Sequence, residues 1–323
     1  MTTHFTPPYP LNTPVLFLVF NRPDTTRQVF EAIREAKPPR LYIAADGPRS
    51  NKASEAEKCA EVRKIATAVD WPCQVRTLFR DQNLGCKMAV SGAITWFFEQ
   101  EEQGIILEDD CLPNQSFFWF CEELLNKYKD NERIWSISGN NFQNGIKRGN
   151  ASYYFSNYSH IWGWATWRRA WQHYAVQIPY WPDWSQSSEW NLLFVDKIER
   201  NYWAERLNEA FENLIDTWDF QWLANIWYHK GLAINPQVNL VTNMGFGVDA
   251  THTTKKWNRA GNVPTQSIQE IQHPTTMKRN IEADKYDFEY RFGGRFMRFP
   301  LNIAVAIYRF FKVFLKGFFV KLI

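Results

Sequence analysis

Three consecutive carboxylic acids, Glu108, Asp109 and Asp110, follow a short apolar run at residues 105–107. Adjacent carboxylates repel one another, so such a group is most stable where a cation or a ligand offsets its charge. Carboxylate oxygens suit Mg²⁺ and Mn²⁺, and a divalent ion held by one or two carboxylates usually completes its coordination with water and substrate phosphates. The triplet by itself indicates either such a site or a solvated acidic turn that closes a strand.

The elements around the triplet predict an α/β fold with a mixed, mainly parallel sheet flanked by helices. Apolar runs and helical patterns alternate, as strands at 11–20, 41–45, 74–79 and 105–107 and helices at 24–36, 54–69 and 88–101. In such βαβ units the carboxyl ends of the strands meet at the edge where ligands bind. The residues expected at that edge are Asn21, Arg22, Asp46, Arg49 and the acid triplet.

Several function classes lack their signature in this sequence. It contains neither G-x-G-x-x-G nor G-x-x-x-x-G-K-[ST], so a dinucleotide-binding Rossmann domain or a P-loop NTPase would lack its phosphate loop. Five cysteines without C-x-x-C spacing indicate neither a disulfide framework nor a zinc site, and favour a reducing cytoplasm. The first residues, MTTHFTPPYP, do not resemble a signal peptide.

The charge distribution argues against a nucleic-acid partner. The net charge is +3, yet every charged residue from Arg291 onward is basic, so the basic character belongs to the end of the chain. A nucleic-acid-binding protein would more often spread Lys and Arg over its folded surface.

The residues from 299 to 323 predict an amphipathic helical tail. Lys or Arg recurs there every three to five residues from Arg309, and aromatic and aliphatic side chains fill most of the remaining positions. This pattern is typical of a helix that lies in an anionic membrane interface, and the longest uncharged run is too short to span a bilayer. A helix docked on the domain or on a second subunit is the alternative.

Aromatic residues are unusually abundant, with 16 Trp, and they concentrate between residues 153 and 227. Trp and Tyr often form stacking surfaces for sugars, although aromatic cores have the same composition. Gly163 between Trp162 and Trp164 suggests a shaped loop, so we predict that both indoles contact an acceptor. Core packing remains the alternative for either ring.

The segments at the strand exits resemble those of the GT-A nucleotide-sugar glycosyltransferases, in particular the EDD-bearing N-acetylglucosaminyltransferase I type. The resemblance covers about residues 14–252. The segments that carry it are VFNRP (19–23), AADGP (44–48), RDQNLGCK (80–87), LEDDCLP (107–113), TWDFQW (217–222) and NMGFGVDATH (243–252). It implies a Rossmann-like GT-A domain at 11–260, after which we place a connector at 261–298 and the tail at 299–323.

The resemblance also implies roles for individual residues. Arg22 and Asp46 would hold the base and ribose of the nucleotide, Glu108 and Asp109 would contact the ribose and donor sugar, and Asp110 would bind Mn²⁺ or Mg²⁺. Three further residues have weaker assignments, each with a structural alternative: pyrophosphate contacts for Arg80 and Lys87, and a phosphate or metal contact for His252.

Asp219, in the position of the family's W-D element, would be the base that deprotonates the acceptor hydroxyl. Its competitors in this sequence are Glu212, Asp216 and Asp249. An inverting transfer needs one such carboxylate opposite the leaving diphosphate and a metal ion to neutralise that diphosphate.

The predicted function is therefore a metal-dependent, inverting glycosyltransferase that uses a nucleotide-sugar donor, with a UDP-sugar favoured, and a glycan or lipid-linked acceptor. We expect it to act in bacterial surface polysaccharide synthesis, peripherally on the inner face of the cytoplasmic membrane. The alternatives are a nucleotidyltransferase that acts on sugar phosphates and a non-catalytic carbohydrate-binding or membrane-scaffold protein.

Overall fold

The computed structural model describes residues 5–245 and 261–303. The strands are β1 Val15–Val19, β2 Arg40–Ala45, β3 Gln74–Phe79, β4 Gln103–Glu108, β5 Cys111–Pro113, β6 Ile134–Ser138, β7 Tyr153–Ser156, β8 Trp164–Trp167, β9 Leu232–Pro236 and β10 Val241–Asn243. The helices are α1 Pro23–Ala36, α2 Glu55–Ala66, α3 Gly85–Gln100, α4 Ser116–Lys127, α5 Arg168–Trp171, α6 Trp181–Trp184, α7 Ser188–Leu193, α8 Lys197–Phe211, α9 Asp219–Tyr228 and α10 Ile281–Tyr290, with a 3₁₀ turn at Gly294–Met297.

Eight strands form one twisted, mixed sheet in the order β3-β2-β1-β4-β8-β6-β9-β7. The first four are parallel to one another, β8 is antiparallel to both of its neighbours, and β9 is parallel to β6. Helices cover both faces of this sheet. The predicted α/β class, with a mainly parallel, Rossmann-like sheet flanked by helices, is therefore confirmed, and it is consistent with a GT-A-like fold.

Strand β1 is buried along its whole length, as its unbroken apolar sequence predicts. Because successive side chains point to opposite faces, Phe17 belongs to the core under α1, α2 and α4, whereas Leu16 and Leu18 belong to a second core under α3 and α9. The second core holds most of the buried tryptophans. The sheet thus lies between two layers. One is rich in aliphatic and phenylalanine side chains, and the other is rich in tryptophan.

A short two-stranded sheet returns a late part of the chain to the acid triplet. Strand β5 follows the triplet directly and pairs antiparallel with β10, so that Cys111 is opposite Asn243. The Met244 backbone N–H donates to the backbone carbonyl of Asp110 at 2.8 Å. This pairing brings residues 243–245 (NMG), which begin 133 residues after Asp110 in the sequence, against the triplet.

The segment predicted as a connector, 261–298, contains helix α10. Its N-cap, Asn280, accepts a hydrogen bond from the Ala283 backbone N–H at 2.9 Å, and the side chains of Asp287 and Phe288 are buried. Arg298 then forms an ion pair with Glu289 at 2.6 Å. This segment is therefore packed on the domain through α10 and the turn that follows it.

Most of the predicted amphipathic tail, residues 304–323, lies outside the described residues. Within 5–245 and 261–303, no helix is both long enough and apolar enough to cross a membrane.

Glu199 in α8 should make the stability of the fold depend on pH. Burial raises its pKa to about 7, against the hydrogen bond that the Tyr158 hydroxyl donates to it at 2.5 Å. A raised carboxyl pKa stabilises the fold at low pH, and this contribution is lost as the pH rises through about 7. We expect the melting temperature of Glu199→Gln, relative to the wild type, to increase between about pH 5 and about pH 8.

Glu212→Gln is the matched control, because Glu212 is exposed. Its melting temperature relative to the wild type should not change with pH. An equally flat profile for Glu199→Gln would contradict the prediction.

Candidate functional site

A cavity of about 790 Å³ lies at the carboxyl ends of β1, β2 and β4. Its volume is within the range of about 300–1,000 Å³ that is usual for small-molecule sites. Ten of the residues singled out from the sequence line it: Arg22, Asp46, Arg49, Arg80, Glu108, Asp109, Asp110, Trp162, Asp216 and Asp219. The structure thus brings residues from the start and the middle of the chain to one cavity, as the strand-exit argument predicted.

Arg22 organises the acid triplet. Its Nη1 is 2.7 Å from Asp110 Oδ2 and 3.2 Å from Asp109 Oδ1. The other oxygen of Asp109 accepts a hydrogen bond from the Phe20 backbone N–H at 3.0 Å. Arg22 occupies this position because β1 ends just before it and Pro23 begins α1 immediately after it.

The triplet keeps an excess of negative charge despite this ion pair. Burial, reinforced by the charges of Asp110 and Asp109, raises the pKa of Glu108 well above the ordinary range of glutamate. Burial also raises the pKa of Asp109, although Arg22 opposes that effect. One guanidinium does not neutralise three carboxylates, so the remaining negative charge would stabilise a cation bound at this position.

The residues at the triplet could bind a cation whose coordination is completed by a ligand. They do not form a site in which every metal ligand comes from the protein. Among residues 5–245 and 261–303, no three or more His, Cys, Asp or Glu side chains form a metal-binding group. Asp110 lines the cavity, and the segment after β10 closes against it: a Cβ on Gly245 would lie 2.0 Å from Asp110 Oδ2. A divalent ion bound by one or two carboxylates takes its other ligands from water and phosphates. His252, the other predicted metal ligand, lies outside the described residues.

Asp46 joins the exit of β2 to the loop before α3. Its carboxylate accepts hydrogen bonds from the backbone N–H groups of Gly47 at 2.9 Å and Leu84 at 3.1 Å, and from Asn83 Nδ2 at 2.9 Å. Burial raises the pKa of Asp46, while these backbone N–H groups lower it. The Asp46 carboxylate therefore holds this part of the cavity wall in place. Asn83, which the sequence did not indicate, contributes through its hydrogen bond to Asp46.

Arg80 and Lys87, predicted as pyrophosphate contacts, have different positions. Arg80 lines the cavity and donates to the Ala89 carbonyl oxygen at 3.1 Å, and burial lowers its pKa. Lys87 does not line the cavity: its ammonium group donates to Asn213 Oδ1, and its backbone N–H donates to Asp216 at 2.8 Å. We therefore correct the assignment of Lys87 to its structural alternative, a link between α3 and the loop before α9.

Of the described candidates for the base, Asp219 has the freest geometry. It is the first residue of α9, it lines the cavity, and the Thr217 hydroxyl donates to its Oδ1. Asp216 also lines the cavity, but its two oxygens accept the backbone N–H groups of Cys86 and Lys87, each at 2.8 Å. Glu212 is exposed and is not part of the lining, and Asp249 lies outside the described residues.

The two indoles predicted to contact an acceptor lie on opposite sides of the loop at Gly163. Trp162 lines the cavity. Trp164 is fully buried and stacks on Trp218 with ring centroids 5.6 Å apart, so it has no exposed face for a ligand. Gly163 makes the turn possible, since its φ is +71° and a Cβ would lie 2.7 Å from a Val241 methyl group. We therefore assign Trp164 to the core and correct the prediction that it contacts an acceptor.

The structure adds cavity residues that the sequence argument missed. Tyr202 and Arg206 contribute from α8, and Arg291 and Phe292 contribute from the end of α10. Arg206 pairs with Glu209 at 2.7 Å and with Glu205 at 3.2 Å. The sequence contained a signal for the α10 residues, because Asp284, Asp287, Phe288 and Arg291 recur at helical spacing, but the segment was interpreted as a connector.

No family model and no curated protein matches the sequence. Among solved structures, the chain is similar to HddC from Yersinia pseudotuberculosis, with a TM-score of 0.29 and 8% identity over 49% of this chain and 77% of that chain. It is also similar to a UDP-glucose pyrophosphorylase complexed with UDP-glucose, with a TM-score of 0.27 and 12% identity over 46% of this chain and 64% of that chain. Both likenesses are too weak to bear on the activity of this protein.

The contrast between the two indoles gives a prediction. Trp164→Ala should lower the free energy of unfolding by about 3–5 kcal/mol, because it opens a cavity in the tryptophan-rich core. Trp162→Ala should cost clearly less, since Trp162 is partly exposed in the cavity. Denaturant unfolding followed by tryptophan fluorescence measures both. Equal losses for the two variants would contradict the assignment of Trp164 to the core.

Proposed function

We propose that this protein is a metal-dependent, inverting glycosyltransferase that uses a nucleotide-diphosphate sugar, with a UDP-sugar favoured, and a glycan or lipid-linked acceptor. The observation that carries the proposal is that one cavity holds the acid triplet with Arg22 and, separately, Asp219. Asp219 is near enough for its charge to contribute to the raised pKa of Glu108, behind burial and the two neighbouring acids. Such a transfer requires opposed groups of this kind.

The strand-exit end would hold the donor. Asp46 and Arg22 would bind the nucleoside, with Arg80 near the diphosphate, and Glu108 and Asp109 would contact the ribose and the donor sugar. Asp110 would hold Mn²⁺ or Mg²⁺, which neutralises the charge that develops on the diphosphate when the bond to the sugar breaks.

The Asp219 end would activate the acceptor. The Asp219 carboxylate takes the proton of the acceptor hydroxyl as that oxygen bonds to the anomeric carbon, and the diphosphate leaves with the bonding electron pair. Attack from the face opposite the diphosphate inverts the anomeric centre. The Thr217 hydroxyl, which donates to Asp219 Oδ1, would keep the carboxylate oriented.

Two variants should separate the two ends of the cavity. We expect Asp110→Asn to abolish the Mn²⁺-dependent thermal stabilisation by UDP, because it removes the proposed metal ligand. Asp219→Asn should retain that stabilisation but lower transfer and donor hydrolysis by about 10²- to 10⁴-fold, the usual contribution of a general base. Thermal shift and release of UDP from a panel of UDP-sugars measure these effects, with Glu212→Gln as the exposed control.

Three results would contradict the proposal in different ways. If the wild type with Mn²⁺ neither hydrolyses a nucleotide-sugar nor is stabilised by UDP or GDP, the transferase assignment fails. Release of pyrophosphate from UTP and a sugar 1-phosphate would instead identify a nucleotidyltransferase. If Asp219→Asn loses UDP binding, Asp219 belongs to the donor end and is not the acceptor base.

The basic and aromatic tail is proposed to bind an anionic membrane on the cytoplasmic side. Deletion of residues 304–323 should release the protein from phosphatidylglycerol vesicles in a sedimentation assay while leaving donor hydrolysis intact. This deletion spares Arg298, which pairs with Glu289 and Asp196. Replacement of Arg309, Lys312, Lys316 and Lys321 by Gln should have the same effect, because each basic residue near such a surface contributes about 1 kcal/mol. Binding that survives the deletion would refute the membrane role.

A further inference from the structure

The guanidinium of Arg291 lies on the cavity wall in an aromatic setting. Its central carbon is 4.7 Å from the centroid of the Trp162 ring and 4.8 Å from that of Phe142. Contacts with ring faces hold a guanidinium in place without using its N–H donors. The position of the group is thus set by packing, and its hydrogen-bonding capacity is left for something else.

Among the described residues, no carboxylate forms an ion pair with Arg291. Asp287, four residues earlier in α10, accepts Gln143 Nε2 at 2.7 Å through one oxygen and lies 3.2 Å from His160 Nε2 through the other. The Nε of Arg291 is buried and has no hydrogen-bond partner. Arg206 lines the same cavity and its Nε also has no hydrogen-bond partner, but its Nη groups form ion pairs with Glu205 and Glu209.

A cation in this setting is stabilised by an anion from outside the chain. Burial lowers the pKa of Arg291, and the charges of Asp287, Tyr202 and Asp219 oppose that effect. Arg291 is partly buried, a partly buried charge without a counter-charge is unfavourable, and a phosphate or a carboxylate matches the planar guanidinium with two parallel hydrogen bonds. The open N–H groups and the missing counter-charge therefore indicate an anion-binding position.

The position of Arg291 associates this anion with the acceptor. Arg291 contacts Trp162 and is near enough to Asp219 to be affected by its charge. The donor end has its own guanidinium, since Arg22 lies 2.7 Å from Asp110. We propose that Arg291 binds an anionic group, a phosphate or a carboxylate, on the acceptor, so that the acceptor is a negatively charged glycan or glycolipid. This inference rests on the proposed function, because it takes Asp219 as the acceptor base.

The test is a calorimetric titration of the full chain, with UDP and Mn²⁺ present, with glucose 1-phosphate, glucuronate and glucose as probes. We expect at least one of the two anions to bind the wild type about tenfold or more tightly than glucose, as charge-assisted hydrogen bonds predict. Arg291→Gln should abolish that preference, and Arg291→Lys should retain part of it through the remaining charge. Arg206→Gln, the matched control, should keep it.

Each outcome bears on the inference. A preference for the phosphate probe identifies a phosphorylated acceptor, and a preference for glucuronate identifies an acidic sugar. The inference is overturned if neither anion binds better than glucose, or if the preference survives in Arg291→Gln. If Arg291→Gln does not fold, the other two variants decide. The inference is then overturned if Arg291→Lys keeps the full preference for the anion over glucose and Arg206→Gln loses it.

Titration of the wild type with UDP alone is a separate measurement. Absence of UDP binding would contradict the proposed function, whereas loss of the anion preference with UDP binding intact would contradict only this inference.

Discussion

The ion pairs between Arg22 and the two aspartates of the acid triplet are the interaction on which the candidate site depends. They form because β1 and β4 are parallel neighbours in register, with Leu18 opposite Glu108, so both strands end at the same level of the sheet. A guanidinium at the exit of one strand therefore meets carboxylates at the exit of the other. Without Arg22, the three acids, of which Asp109 and Asp110 are buried, would form no ion pair with a described cation, and their repulsion would oppose the packing of the strand ends.

Most of the abundant tryptophans support the site from behind, as part of the second core. Trp164 of β8 stacks on Trp218, whose ring also packs at 6.3 Å from Trp171, and Trp218 is the residue before Asp219. Aromatic pairs of this kind contribute stability beyond the area that they bury. The second core thus fixes the start of α9, and with it the carboxylate that we propose as the base, relative to the acids at the end of β4.

The far side of the cavity is assembled from elements that are distant in sequence. Helix α8, the loop before α9 and the end of α10 each contribute a part, while β10 returns the NMG segment to Asp110. Their residues add aromatic rings and the guanidinium of Arg291 to the carboxylates of Asp216 and Asp219. The cavity therefore has a carboxylate at each end, with different neighbours around each, and this arrangement is suited to two ligands that bind side by side.

The sequence by itself determined the parallel sheet, its strand exits and the grouping of Arg22, Asp46 and the triplet, because hydrophobic periodicity and the βαβ rule are local and general. Only the tertiary structure decided which of the two neighbouring indoles, Trp162 or Trp164, lines the cavity. It also showed that Lys87 links α3 to the loop before α9, and that Arg291 lines the cavity although the sequence predicts a connector there. These outcomes depend on packing between elements that are far apart in sequence. The type and spacing of a residue do not show which side chain from a distant element it contacts. The local pattern therefore predicts the residues at the strand ends but not those on the opposite side of the cavity.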